Sequence, residues 1–129
     1  MTLEERLLIE QQCARLVALY ANLNDAARWE EVAALYAEDG RMARPTAPDD
    51  WIEGREAILA AFTARPPRTT RHFCSNIVID VLSEDEAVGE SAMLLFTVDN
   101  ASKAGSFHDR FVRTGEGWRF AERRGSLTF

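Results

Sequence analysis

At Thr69 the hydrophobic pattern of this chain changes period. Up to Phe62 the apolar residues recur every three or four positions, and from Thr69 to the end they alternate with polar ones. A period near 3.6 gives a helix one apolar face and a period of 2 gives a strand one, so the two parts must bury those faces against each other. Helices first and strands afterwards is the order of an α+β domain, with N-terminal helices packed on a curved, mostly antiparallel sheet. A length of 129 residues supports one such core and not two, so a single domain over residues 1–129 is expected.

The helical part begins with a capping-box spacing, Thr2 and Glu5, before a stripe of Ile9, Cys13, Leu16, Val17, Tyr20 and Leu23. Asn24-Asp25 interrupts the stripe and is placed to end this helix and cap a second, whose buried face reads Trp29, Val32, Ala33 and Tyr36. Asp39-Gly40 stops the second helix, Arg41 to Arg44 reads as a short strand closed by Pro45, and Pro45 to Asp50 reads as loop. A third helix is expected over Arg55 to Phe62, and Arg65-Pro66-Pro67-Arg68 must be extended because consecutive prolines fix φ.

In the alternating part, Ile77, Ile79 and Val81 mark a strand that His72 enters from the opposite parity, together with Cys74, Asn76 and Val78, unless a bulge shifts the phase. Ala87 to Val98 is a second strand, apolar on both faces in its second half and therefore covered on both sides. Asp99 to Ser106 reads as a polar loop, Phe107 to Arg113 as a third strand, Gly115-Glu116-Gly117 as a hairpin turn and Trp118 to Leu127 as a fourth strand.

A net charge of −6 with a single lysine, Lys103, argues against nucleic acid as a partner, because a phosphate-binding surface needs clustered Lys and Arg. No apolar run is long enough to span a membrane, and the charged start is not a signal peptide. Cys13 and Cys74 lack metal-type spacing and read as free buried thiols of a reducing cytoplasm. No glycine-rich phosphate loop, metal-ligand cluster or serine-nucleophile motif occurs, so neither an organic cofactor nor a metal is expected.

Several residues in order carry a likeness to a known superfamily: Tyr20 with Asp25 and then Trp29, Glu38-Asp39-Gly40, Gly54-Arg55-Glu56-Ala57-Ile58, Arg71-His72, Asn76, Asp109, and Gly117-Trp118-Arg119 with Arg123. The chain resembles the nuclear transport factor 2-like superfamily, in its SnoaL-like branch, which includes scytalone dehydratase, over Leu3 to Leu127. The resemblance implies a cystatin-like, cone-shaped α+β barrel with a pocket between helices and sheet, commonly assembled as a homodimer or larger through the outer sheet face. It also implies chemistry. In scytalone dehydratase and hexachlorocyclohexane dehydrochlorinase an aspartate ending the first helix pairs with a histidine on the first long strand, and Asp25 and His72 stand at the matching positions. This chain departs from the dehydratase where a second histidine matches Thr97 and a tyrosine matches Asn24, and Phe107 stands where the family often has tyrosine.

Two readings of these residues remain side by side. In one, Asp25 and His72 form a general acid-base dyad in a cofactor-free dehydratase-, isomerase- or cyclase-like enzyme acting on a small hydrophobic or aromatic molecule. Asn76 or Tyr20 would then steady an oxyanion, and Trp29, Met42, Trp51, Phe62, Met93, Leu95 and Phe111 would join Asn24, Thr97 and Phe107 in lining the pocket. In the other, Asp25 only caps a helix end, His72 bonds backbone, the aromatic residues pack a solid core, and the domain serves binding or assembly, as β subunits of ring-hydroxylating dioxygenases do. His108 reads as a half-exposed sheet residue, Asp109 as the partner of Arg110 or Arg123 in a salt bridge, and Arg123-Arg124 as a solvated edge.

Overall fold

The computed structural model describes residues 1–99 and 101–128. Three helices, α1 (Leu3–Asp25), α2 (Trp29–Ala34) and α3 (Arg55–Thr63), lie with six strands, β1 (Tyr36–Arg44), β2 (Ala47–Glu53), β3 (Thr70–Val81), β4 (Glu86–Thr97), β5 (Ser102–Thr114) and β6 (Gly117–Ser126). The strands form one sheet in the order β2-β1-β6-β5-β4-β3, antiparallel throughout except where β1 runs parallel to β6. This is an α+β fold, and its C-terminal four strands form the meander that the alternating pattern implies.

Thr2 and Glu5 close the capping box, each side chain accepting from the other's backbone N–H, and α1 then buries Ile9, Cys13, Leu16, Val17, Tyr20, Ala21 and Asn24 against the sheet. The helix ends in a Schellman arrangement: Arg28 N–H donates to the Leu23 carbonyl and Ala27 N–H to the Asn24 carbonyl, with Ala27 left-handed at φ 56°. Asp25 therefore does not cap α2, which starts at Trp29 behind Arg28 with no side-chain cap.

Four expectations are corrected in the middle of the chain. Tyr36 is not on the second helix but opens β1, and Asp39-Gly40 lies inside that strand. Gly40 fits there because a Cβ would meet the Phe120 carbonyl oxygen at 2.9 Å, where β1 and β6 shift register. Residues 47–50 belong to β2 rather than to a loop, an edge strand that tolerates Pro48 because its outer side has no neighbour to pair with. Ser102 to Ser106 extends β5 instead of forming loop, pairing with β4 from Ala92 to Phe96.

The fifth concerns phase. β3 carries a bulge between Ser75 and Val78, with Asn76 left-handed at φ 54° and exposed. The bulge lets His72 and Cys74 face inward with Ile77, Ile79 and Val81, while Phe73, Ser75, Asn76 and Val78 face out. β4 alternates as its sequence suggests, with Ser91, Met93 and Leu95 inward and Leu94 and Phe96 outward. No helix among the described residues is long and apolar enough to cross a membrane.

Candidate functional site

The end of α1 meets the start of β3 through one carboxylate. Asp25 Oδ1 lies 2.5 Å from His72 Nδ1 and accepts the Thr70 hydroxyl at 2.9 Å, and Oδ2 accepts the His72 backbone N–H at 2.8 Å. Both side chains are buried, with Asp25 8% and His72 9% exposed. A carboxylate offers only acceptors, so the proton on Nδ1 points at Asp25 and the lone pair sits on Nε2, which has no protein partner among the described residues. Burial lowers the imidazole pKa below its ordinary value; the bond and charge of Asp25 pull it back up, and Arg68 and Arg65 push it down again. His72 is thus held neutral near pH 7, with a fixed tautomer and one free basic nitrogen.

His72 belongs to the wall of a cavity of about 350 Å³ between helices and sheet, within the size range of small-molecule sites. Tyr20, Asn24, Met42, Met93, Leu95 and Phe107 line it, as do Arg44, the segment 65–68, Lys103 and Arg123. Tyr20 and Asn24 stand one turn apart on α1, presenting a phenol and an amide to the same space. The Tyr20 hydroxyl donates only to the Met42 sulfur at 3.6 Å, and burial raises its pKa, so it stays a neutral donor.

Six residues proposed from sequence to touch a ligand do not line this cavity. Trp29 stacks on Phe62, ring centroids 5.2 Å apart, and both fill the space between α2 and α3. Phe111 packs on Phe120 in the core, Trp51 lies on β2 under the Arg41 guanidinium, Asn76 is exposed at the bulge, and Thr97 bonds Asp99 at the strand end. Asn76 is therefore not available to orient His72.

Arg123 is the largest departure from the sequence reading. It is not at a solvated edge but fully buried at the cavity floor, with Phe107, Tyr20 and Phe120 ring centroids 3.7, 4.4 and 4.9 Å from its guanidinium carbon. Asp109 neutralises it at 3.1 Å, although the angles at that contact fall short of a hydrogen bond and leave both groups unsatisfied. Burial pushes the Asp109 carboxyl up to about 6 against the pull of Arg123. Arg124, one residue on, is exposed and pairs with Asp49, and His108 is exposed beside Glu90. The mouth cations Arg44, Arg65, Arg68 and Lys103 were not legible as site residues; the Arg-Pro-Pro-Arg run was the one signal pointing to two of them. Among the described residues no three histidine, cysteine, aspartate or glutamate side chains gather as metal ligands.

Comparison with known proteins agrees with this architecture. The "Putative Scytalone Dehydratase" of Novosphingobium aromaticivorans superposes with a TM-score of 0.86 at 27% identity, over 99% of this chain and 89% of that one. An NTF2-like protein with a cystatin-like fold from the same organism gives 0.81 at 26% identity, over 95% and 84%. LinA gives 0.83 over 97% and 89%, at 21% identity, which speaks to the fold alone. No curated protein gives a significant match. The SnoaL-like domain model matches residues 5–124, and the chain belongs to that family, within the NTF2-like fold.

Proposed function

We propose that the protein is a cofactor-free lyase or isomerase of the dehydratase or cyclase kind, in which His72 is the general base. The observation that carries this reading is the 2.5 Å contact between Asp25 and His72 Nδ1 at the wall of a hollow cavity. His72 Nε2 takes a proton from a substrate carbon beside a carbonyl or leaving group, and Asp25 stabilises the imidazolium that forms. The Tyr20 hydroxyl and Asn24 amide are the donors within the cavity for a developing oxyanion, and the apolar walls keep water from the carbanion-like species. The same proton then returns to another atom of the substrate or to the leaving group, so no net change of oxidation state is needed. The alternative of an assembly domain requires neither the bond nor the hollow, and that of a non-catalytic ligand-binding domain requires the hollow but not the bond.

The first test is carbon-bound hydrogen exchange in deuterated water, with a panel of hydrophobic ketones and hydroxyaromatic compounds. Wild type exchanges the proton beside the carbonyl, and His72→Ala and Asp25→Asn lose roughly 10²- to 10⁴-fold of that rate. Undiminished exchange in both variants contradicts the proposal.

Assembly as a homodimer through the outer sheet face is part of the same reading. Phe73 and Phe96 pack edge to face there at 6.0 Å yet remain 53% and 37% exposed, and Leu94, Val78 and Val98 extend the apolar surface. Cys13 and Cys74 are unpaired thiols, as a protein of the cytoplasm would keep them.

A further inference from the structure

The cavity is unlike the rest of the molecule in charge. The chain carries 21 acidic residues against 15 basic ones, yet Arg44, Arg65, Arg68, Lys103 and Arg123 line the cavity and no aspartate or glutamate does. Arg123 is paired with Asp109 at the floor; the other four have no ion-pair partner among the described residues. They come from separate places in the sequence: the end of β1, the link between α3 and β3, and the start of β5. Folding has concentrated positive charge around one opening, which has an electrostatic cost unless an anion occupies it.

The chemistry at the opening is directional. Arg65 is half-buried with its guanidinium carbon 4.6 Å from the Phe62 ring centroid, while Arg44 gives one donor to the Ala61 carbonyl at 2.9 Å and keeps a buried Nε without an acceptor. Burial lowers the Arg65 pKa, and Arg44 and Arg68 each press it down further, so the three share one field. Pro66 and Pro67 hold the spacing between Arg65 and Arg68 and supply no backbone N–H. An anion here meets guanidinium forks, which pair with carboxylate and phosphate oxygens alike, and residues 66 and 67 add no main-chain amides of the kind that cradle phosphate. Beyond the opening the walls are Met42, Met93, Leu95 and Phe107, with His72 at the side.

Resting on the catalytic reading above, we propose that the ligand is a hydrophobic carboxylic acid, its carboxylate held at the mouth by Arg65 and Arg68 and its apolar body reaching past His72. Arg44 and Lys103 add attraction without fixing orientation. The reacting carbon is then distant from the acid group, which serves as the handle that sets which part of the molecule meets Nε2.

The experiment is calorimetric binding to wild type of benzoate, cinnamate, 2-naphthoate and decanoate, each beside its neutral amide, with phenyl phosphate as a separate arm. At least one acid binds about tenfold or more tightly than its amide, the scale of a charge-assisted contact. That preference falls away in Arg65→Gln/Arg68→Gln, falls several-fold in Arg68→Gln alone, an exposed position at which the fold is not at stake, and survives in His72→Ala. Equal binding of every acid and amide, no acid bound at all, preference unchanged in Arg68→Gln, or tighter binding of phenyl phosphate than of all the acids would each overturn it. Acid preference without proton exchange removes the catalytic reading alone, and proton exchange without acid preference removes this one alone.

Discussion

The Asp25 carboxylate accepts three hydrogen bonds from Thr70 and His72, and this fixes both the ring orientation and the tautomer of the histidine. The pair was suggested by the family resemblance and not by the residues alone, because a helix-ending aspartate and a strand histidine are far apart in sequence and only packing brings them together. Arg123 was misread because a sequence cannot show that three aromatic rings enclose it. The two buried sites leave opposite marks on stability. Since burial lowers the His72 pKa, the unfolded chain binds its proton first as pH falls, and stability declines from about pH 6.5 down to the folded pKa. Asp109, raised to about 6, works the other way: the folded state keeps a proton that the unfolded state has lost, and stability declines as pH rises from about 4 to about 6. Urea unfolding across this range should show His72→Ala removing the first slope. The single variant Arg123→Met strands a buried carboxyl and should cost about 3–5 kcal/mol, whereas Arg123→Met/Asp109→Leu should cost less than the single change.

At the scale of elements, the sequence displayed what is amphipathic and hid what is not. α1 and β4 carry clean periodic faces and were legible nearly to the residue. β2 was hidden because an edge strand needs no regular pattern and here contains Pro48, Asp49 and Asp50. The first part of β5 was hidden by its small and polar residues, which lie beside β4 beyond the core. The bulge at Asn76 matters most, because a shift of one residue turns His72 from the outer face to the inner one. Asn76→Gly should leave stability within about 0.5 kcal/mol, since glycine accepts the left-handed backbone freely, while the β-branched Asn76→Val should lose about 1–2 kcal/mol. Deleting Asn76 removes the extra residue and leaves His72, Cys74, Ile77 and Ile79 in unbroken alternation on the inner face, so proton exchange should persist in a chain that still shows strand and helix by circular dichroism. A folded deletion variant without exchange would contradict the role given to the bulge.

For the whole molecule, the two faces of the sheet divide the work. The inner face and helices enclose the cavity, and the outer face leaves Phe73, Phe96 and their neighbours exposed, the surface proposed to meet a second copy. Phe96→Asp should shift sedimentation from dimer to monomer while leaving proton exchange within about tenfold, because Phe96 points away from His72. A wild type that sediments as a monomer at high concentration would contradict the assembly. The order of elements made the fold readable from sequence, whereas the hollow and its ring of cations exist only once distant segments have met. The account as a whole depends on His72 presenting a bare Nε2 to that hollow, which nitrogen-15 NMR of the imidazole reads directly at pH 7. The prediction is a protonated Nδ1 and an unprotonated Nε2, with the tautomer losing its definition in Asp25→Asn. A proton found on Nε2, or a tautomer indifferent to Asp25→Asn, would contradict it.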